Sequence, residues 1–136
     1  MEIRVLGPVG LRDGDDEVSV GGPRQRRLLA ALVVHAGKVV SVDRLIDAVW
    51  AGEDPPDGAT KTLRTYVSKL RLALGDGHLR TTDPGYSLVV DGELIDAKRF
   101  ERLSTIARAR LDAGDPREAI ARFDEALTLW RGHAYD

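Results

Sequence analysis

The chain has 136 residues, with 20 Lys and Arg against 22 Asp and Glu and 43% hydrophobic residues. That length suits one domain, or a small domain joined to part of another, and is enough to bury a core without covalent staples. The absence of cysteine excludes disulfides and thiolate metal sites, and a net charge of −2 excludes a generically basic nucleic-acid binder while leaving room for a local basic face.

In chain order, Ile3 and Val5 alternate with Glu2 and Arg4, Val9-Gly10-Leu11 resumes the pattern, and Val18-Ser19-Val20 follows the turn residues Asp13 to Asp16. Period-two alternation broken by Gly and Asp predicts a short antiparallel sheet. Pro23 then suits the first position of a helix, where a missing N–H costs nothing. Leu28, Leu29, Leu32, Val33 and Ala36 form its apolar face, and Gly37 is the stop. Ser41 is the N-cap of a second helix that buries Val42, Leu45, Ile46, Val49 and Trp50. AGEDPPDG, residues 51–58, is an acidic loop. A third helix runs to Gly75, Leu79 to Thr82 is a strand, Asp83-Pro84-Gly85 a tight turn, and Tyr86, Leu88 and Val90 the returning strand of a hairpin. From Asp96 the pattern is helical only. Phe100, Leu103, Ile106, Ala107 and Leu111 mark one helix, and Ala119, Ile120, Phe123, Ala126, Leu127 and Trp130 a second, with a break at Ala113-Gly114-Asp115-Pro116.

The third helix carries the functional signal. Ala59, Leu63, Tyr66, Val67, Leu70 and Leu74 recur at core spacing, while Lys61, Arg64, Thr65 and Ser68 lie opposite, flanked by Thr62, Lys69 and Arg71. A polar face of this kind is either solvated surface or a face for DNA. Ordinary solvated helices mix both signs, often in supporting pairs four residues apart. No acid occurs between Gly58 and Gly75. A helix fits the major groove, where Arg pairs with guanine and Ser or Thr contacts several base edges. Two preceding helices can brace this one and the hairpin can act as a wing. Leu72 falls on the polar side without an evident partner.

DRLIDAVW, then PP, then KTLRTYVSKLRLALG and DPGYSLVV resemble the winged helix-turn-helix domain of Streptomyces antibiotic regulatory proteins. These are transcription activators whose DNA-binding half is of the OmpR/PhoB type. The resemblance covers Met1 to about Val90. It implies an α+β fold in which a winged helix-turn-helix domain, residues 1–91, has an N-terminal antiparallel sheet, three helices and a C-terminal hairpin. Residues 92–136 would be the first helices of an all-α, tetratricopeptide-like bacterial transcriptional activation domain. Ala119, Phe123 and Ala126 fit the repeat signature, although Arg131 replaces the usual proline. Such a helix pair does not bury its face alone, which suggests a piece of a longer protein; the alternative is a complete cap packed on the winged domain.

By this resemblance Arg64, Thr65, Ser68 and Lys69 would read base edges. Lys61, Thr62, Tyr66, Arg71, Thr81, Thr82 and Arg24 would meet phosphates. The tip Asp83-Pro84-Gly85 departs from wings that present an Arg to the minor groove. The implied partners are double-stranded promoter DNA, a second protomer on an adjacent direct repeat, and RNA polymerase, through its sigma factor. Glu53, Asp54 and Asp57 are the polymerase-facing candidates. The implied targets are antibiotic biosynthesis genes.

Other chemistry is not evident. His35, His78 and His133 have no supporting spacing for a triad or a metal, and Asp13 to Glu17 do not fill calcium-loop positions. Gly21-Gly22-Pro23-Arg24 lacks the nucleotide-loop pattern, although that helix start, with Arg24 or Arg26, could touch a DNA phosphate. Neither an enzyme nor a cofactor is expected. MEIRVLGPVG has no signal-peptide core, and no apolar run approaches the roughly 20 residues of a membrane span. A cytoplasmic, nucleoid-associated protein is therefore expected, and a protein–protein adaptor built on the helical part is the alternative function.

Overall fold

The computed structural model describes Met1–Asp136, and the chain divides into two compact units. The first comprises Met1 and Gly10–Val90, the second Glu2–Val9 and Asp91–Asp136. The sequence pattern groups residues 1–91 as one domain. Glu2–Val9 groups with the second unit, where the Val5 and Leu6 N–H groups donate to Asp96, 91 and 90 residues along the chain.

The first unit opens with β2 (Gly10–Asp13) and β3 (Asp16–Val18), an antiparallel pair in register Leu11 to Val18. α1 (Pro23–Val34) starts at Pro23, and Gln25 Oε1 reaches back to accept the Gly22 N–H at 3.1 Å. Leu28, Leu29, Leu32 and Val33 of α1 are buried. β4 (Val40–Ser41) leads directly into α2 (Val42–Trp50), whose N-cap Ser41 Oγ accepts the Arg44 N–H at 3.2 Å. α3 (Ala59–Leu74) starts after Gly58, which is left-handed at φ 77°. β5 (Leu79–Thr82) and β6 (Gly85–Leu88) form the expected hairpin.

The second sheet has the order β4-β6-β5, so β6 is central. This explains why all four of its residues are buried, where alternation had predicted one exposed face. Gly85 faces Ser41 across the ladder. A Cβ there would stand 1.8 Å from the Val40 carbonyl oxygen, so only glycine admits β4. The Gly37 N–H donates to Leu88 O at 2.8 Å and the Val42 N–H to Pro84 O at 3.2 Å, which ties the hairpin to the start of α2. Leu28, Leu29, Leu32, Leu45, Val49, Leu63, Val67, Leu70 and Leu88 fill the core of this unit. Burying each such side chain contributes roughly 1.5–3 kcal/mol relative to exposure.

In the second unit, β1 (Glu2–Arg4) makes an isolated parallel bridge from Ile3 to Ile95. α4 (Asp96–Asp112) and α5 (Pro116–Leu127) follow a short 3-10 turn at Gly92–Leu94. Asp115 caps α5 by accepting the Glu118 N–H. Leu103, Ala107, Ala119 and Ala126 are buried between the helices, whereas Leu111, Ile120, Leu127 and Trp130 remain exposed. The segment Leu6–Val9 is gripped by the chain end. Leu6 O accepts the Arg131 N–H, Gly7 O accepts the Asp136 N–H, and the Val9 N–H donates to Asp136 O. Burial, then the charges of Asp96 and Glu101, raise the Tyr135 phenol above its usual range. No helix is long and apolar enough to cross a membrane.

Candidate nucleic-acid interface

α3 separates its two faces as its sequence requires. Ala59, Leu63, Val67, Leu70 and Leu74 are buried, and Lys61, Arg64, Thr65, Ser68 and Lys69 are exposed. None of Lys61, Arg64 and Lys69 forms an ion pair. Thr65 Oγ1 donates to its own helix at Lys61 O, 3.3 Å away, so its hydroxyl has acceptor capacity left for a partner. Leu72 is 85% exposed on this side. The result is a helix face of free cations and hydroxyls, uninterrupted by acid, which can meet phosphates and base edges.

The start of α1 continues this surface. Arg24 lies over the Trp50 ring at 5.7 Å, and Tyr66 stacks on the same indole with centroids 6.4 Å apart. Trp50 is itself buried, at 3% exposed. A single fixed ring therefore steadies two side chains that the sequence had marked for phosphate. The sequence offered Trp50 only as a core residue, because its second contact comes from α1, 26 positions upstream. Pro23, Arg24, Gln25, Arg27, Glu53 and Tyr66 line one hollow here. Arg27 is partly committed, donating from Nη1 to Val49 O at 3.3 Å.

At the other end of α3 the cations behave differently. Arg71 is half-buried and donates from Nε to Leu79 O at 2.8 Å and from Nη2 to Thr81 Oγ1 at 2.6 Å. Two side chains marked for phosphate thus hold each other. Thr82 is exposed in the hairpin. Val42, Thr60, Leu63, Arg64, Thr81 and Asp83 line a second hollow, so the acidic turn lies beside the polar face of α3. Glu53, Asp54 and Asp57 are all exposed on the loop between α2 and α3. No group of His, Asp and Glu able to hold a metal occurs in the chain.

Comparison with known proteins bears on this geometry. Residues 16–88 match the family described as "Transcriptional regulatory protein, C terminal", and residues 95–136 match "Bacterial transcriptional activator domain". The regulatory protein AfsR of Streptomyces griseus is 38% identical over 134 residues, which is 98% of this chain and 14% of AfsR. The regulatory protein DnrI of Streptomyces peucetius is 37% identical over 98% of this chain and 53% of DnrI. The chain therefore spans about half, or much less, of these relatives' length. The solved structure of Mycobacterium tuberculosis EmbR, in complex with a low affinity phosphopeptide, superposes with a TM-score of 0.93 at 35% identity, covering 99% of this chain and 37% of that one.

Proposed function

The chain belongs to the Streptomyces antibiotic regulatory protein family of transcriptional regulators, a non-enzymatic family, and from that premise we propose a sequence-specific activator whose α3 reads promoter DNA in the major groove. The observation that carries this is the acid-free face of α3, on which Lys61, Arg64, Thr65, Ser68 and Lys69 are exposed and its three cations are unpaired. Arg64, Thr65, Ser68 and Lys69 read base edges in this proposal. Lys61, Thr62, Tyr66, Arg24 and Thr82 meet the backbone. Two protomers occupy adjacent direct repeats, the acidic loop faces the sigma factor of RNA polymerase, and the regulated genes direct antibiotic synthesis.

Selection of binding sites from random duplexes tests the proposal. A recovered consensus with a direct repeat supports it, and recovery of no consensus sinks it. On the selected duplex, Arg64→Ala is expected to weaken binding by roughly 1–3 kcal/mol and to relax preference at one base pair. Unchanged preference at every position removes Arg64 from the base-reading set.

A further inference from the structure

Arg71 sits in the last turn of α3, and its guanidinium is occupied on three sides. Nε donates to the Leu79 carbonyl at 2.8 Å, Nη2 donates to Thr81 Oγ1 at 2.6 Å, and the planar group lies over the Tyr86 ring at 5.9 Å. Tyr86 is 8% exposed and is the cross-strand partner of Thr81. β5 lies at the edge of the β4-β6-β5 sheet, and Arg71 supplies a donor to a carbonyl on that edge strand. The helix end and both strands of the hairpin thus converge on one side chain. A guanidinium so engaged is poorly placed to serve as a phosphate contact.

We infer that Arg71 is a positioning residue, a clamp that fixes the angle of the hairpin wing against the recognition helix. Thr82 and the turn at Asp83-Pro84 directly follow Thr81, so the placement of the wing on a duplex depends on this clamp. A lysine keeps the charge but is a point donor. It cannot hold two acceptors in a fixed fork while stacking flat on a ring. The inference rests on the DNA-binding function proposed above.

The test measures binding of the whole chain to the duplex recovered by selection, across a salt series, for Arg71→Lys, Arg71→Met, Thr81→Val and the double variant Arg71→Lys with Thr81→Val. The clamp predicts that both Arg71 variants lose affinity alike, by roughly tenfold, about what a lost charged hydrogen bond amounts to. It also predicts that the double variant binds no worse than Arg71→Lys alone, since both changes break one device. Native affinity for Arg71→Lys, with weaker binding and a salt slope lower by about one unit for Arg71→Met, would make Arg71 a phosphate contact and overturn the clamp. Native affinity in both overturns it too. Should the Arg71 variants melt early, Thr81→Val decides: weakened binding at an unchanged melting temperature supports the clamp, and native binding refutes it. Exchange of the Arg71 Nε proton in the free protein gives a readout without DNA. Slow exchange is expected, and rapid exchange refutes the clamp. If no duplex is recovered at all, the function fails while the proton measurement still judges the clamp.

Discussion

Asp96 shows how much one side chain can organise. It is 1% exposed, and its carboxylate accepts the Val5 N–H at 2.8 Å, the Leu6 N–H at 3.0 Å and the Ala97 N–H at 2.8 Å. A buried charge is tolerable only when its lone pairs are filled, and here three backbone donors fill them. Its position in the first turn of α4 adds the favourable end of the helix dipole. Asp96→Ala strands the Val5 and Leu6 N–H groups in the interior, each at about 1–3 kcal/mol. The expected destabilisation of the second unit is therefore about 3 kcal/mol or more, visible as a lower urea midpoint. A loss below about 1 kcal/mol would mean that water replaces the carboxylate there. In the sequence Asp96 marks only the start of a helical pattern, because its partners at Val5 and Leu6 are remote backbone groups that no local pattern announces.

Among the elements, those set by local chemistry were legible. The α2 cap at Ser41, the glycine stop of α3 and the β5 boundaries follow from capping and turn residues. What escaped was non-local. β4 has two residues and merges with the α2 cap, so no periodicity marks it. The roles of Arg71 and Thr81 escaped because each is satisfied by the other across ten residues. The loop at residues 51–58 is a middle case: its acids were legible, their surroundings were not. Glu53 lines the hollow that also holds Arg24 and Tyr66, whereas Asp54 does not line it. Substituting Glu53 by Lys therefore mixes two effects, since it also adds positive charge next to a proposed phosphate contact. Asp54→Lys is the cleaner probe of the polymerase surface. In a purified transcription system it is expected to leave duplex binding unchanged and to lower transcript yield several-fold. Full transcription would take this loop out of the polymerase contact.

At the scale of the whole molecule, ion pairing differs between the units. The first unit holds eleven cations and eleven acids, yet its only side-chain ion pair is Arg12 with Asp15. The second unit pairs Lys98 with Glu101, Arg99 with Glu2, Arg102 with Glu93, and Arg122 with Glu118 and Glu125. Lys61, Arg64 and Lys69 are thus free of ion pairs where DNA is proposed to bind, so neutrality of the first unit does not argue against binding. Chain connectivity adds a second consequence. The second unit is discontinuous, and the first is inserted into it between Val9 and Asp91. Deleting Glu2–Val9 removes the Val5 and Leu6 N–H partners of Asp96 and the ion-pair partner of Arg99, and it takes away the Leu6 and Gly7 carbonyls that accept the Arg131 and Asp136 N–H groups. The deletion should therefore unfold the second unit and spare the first. The two tryptophans report separately: Trp50 lies in the core of the first unit, and Trp130 packs edge-on against Phe100 at 5.7 Å in the second. In an NMR spectrum of the deleted chain, the Trp130 indole N–H is expected to collapse to its unfolded position while that of Trp50 stays dispersed. A peptide of residues 2–9 added in trans should restore the Trp130 signal. If both indoles keep their native shifts, the α4 and α5 pair stands without its N-terminal strap, and Asp96 has found other donors.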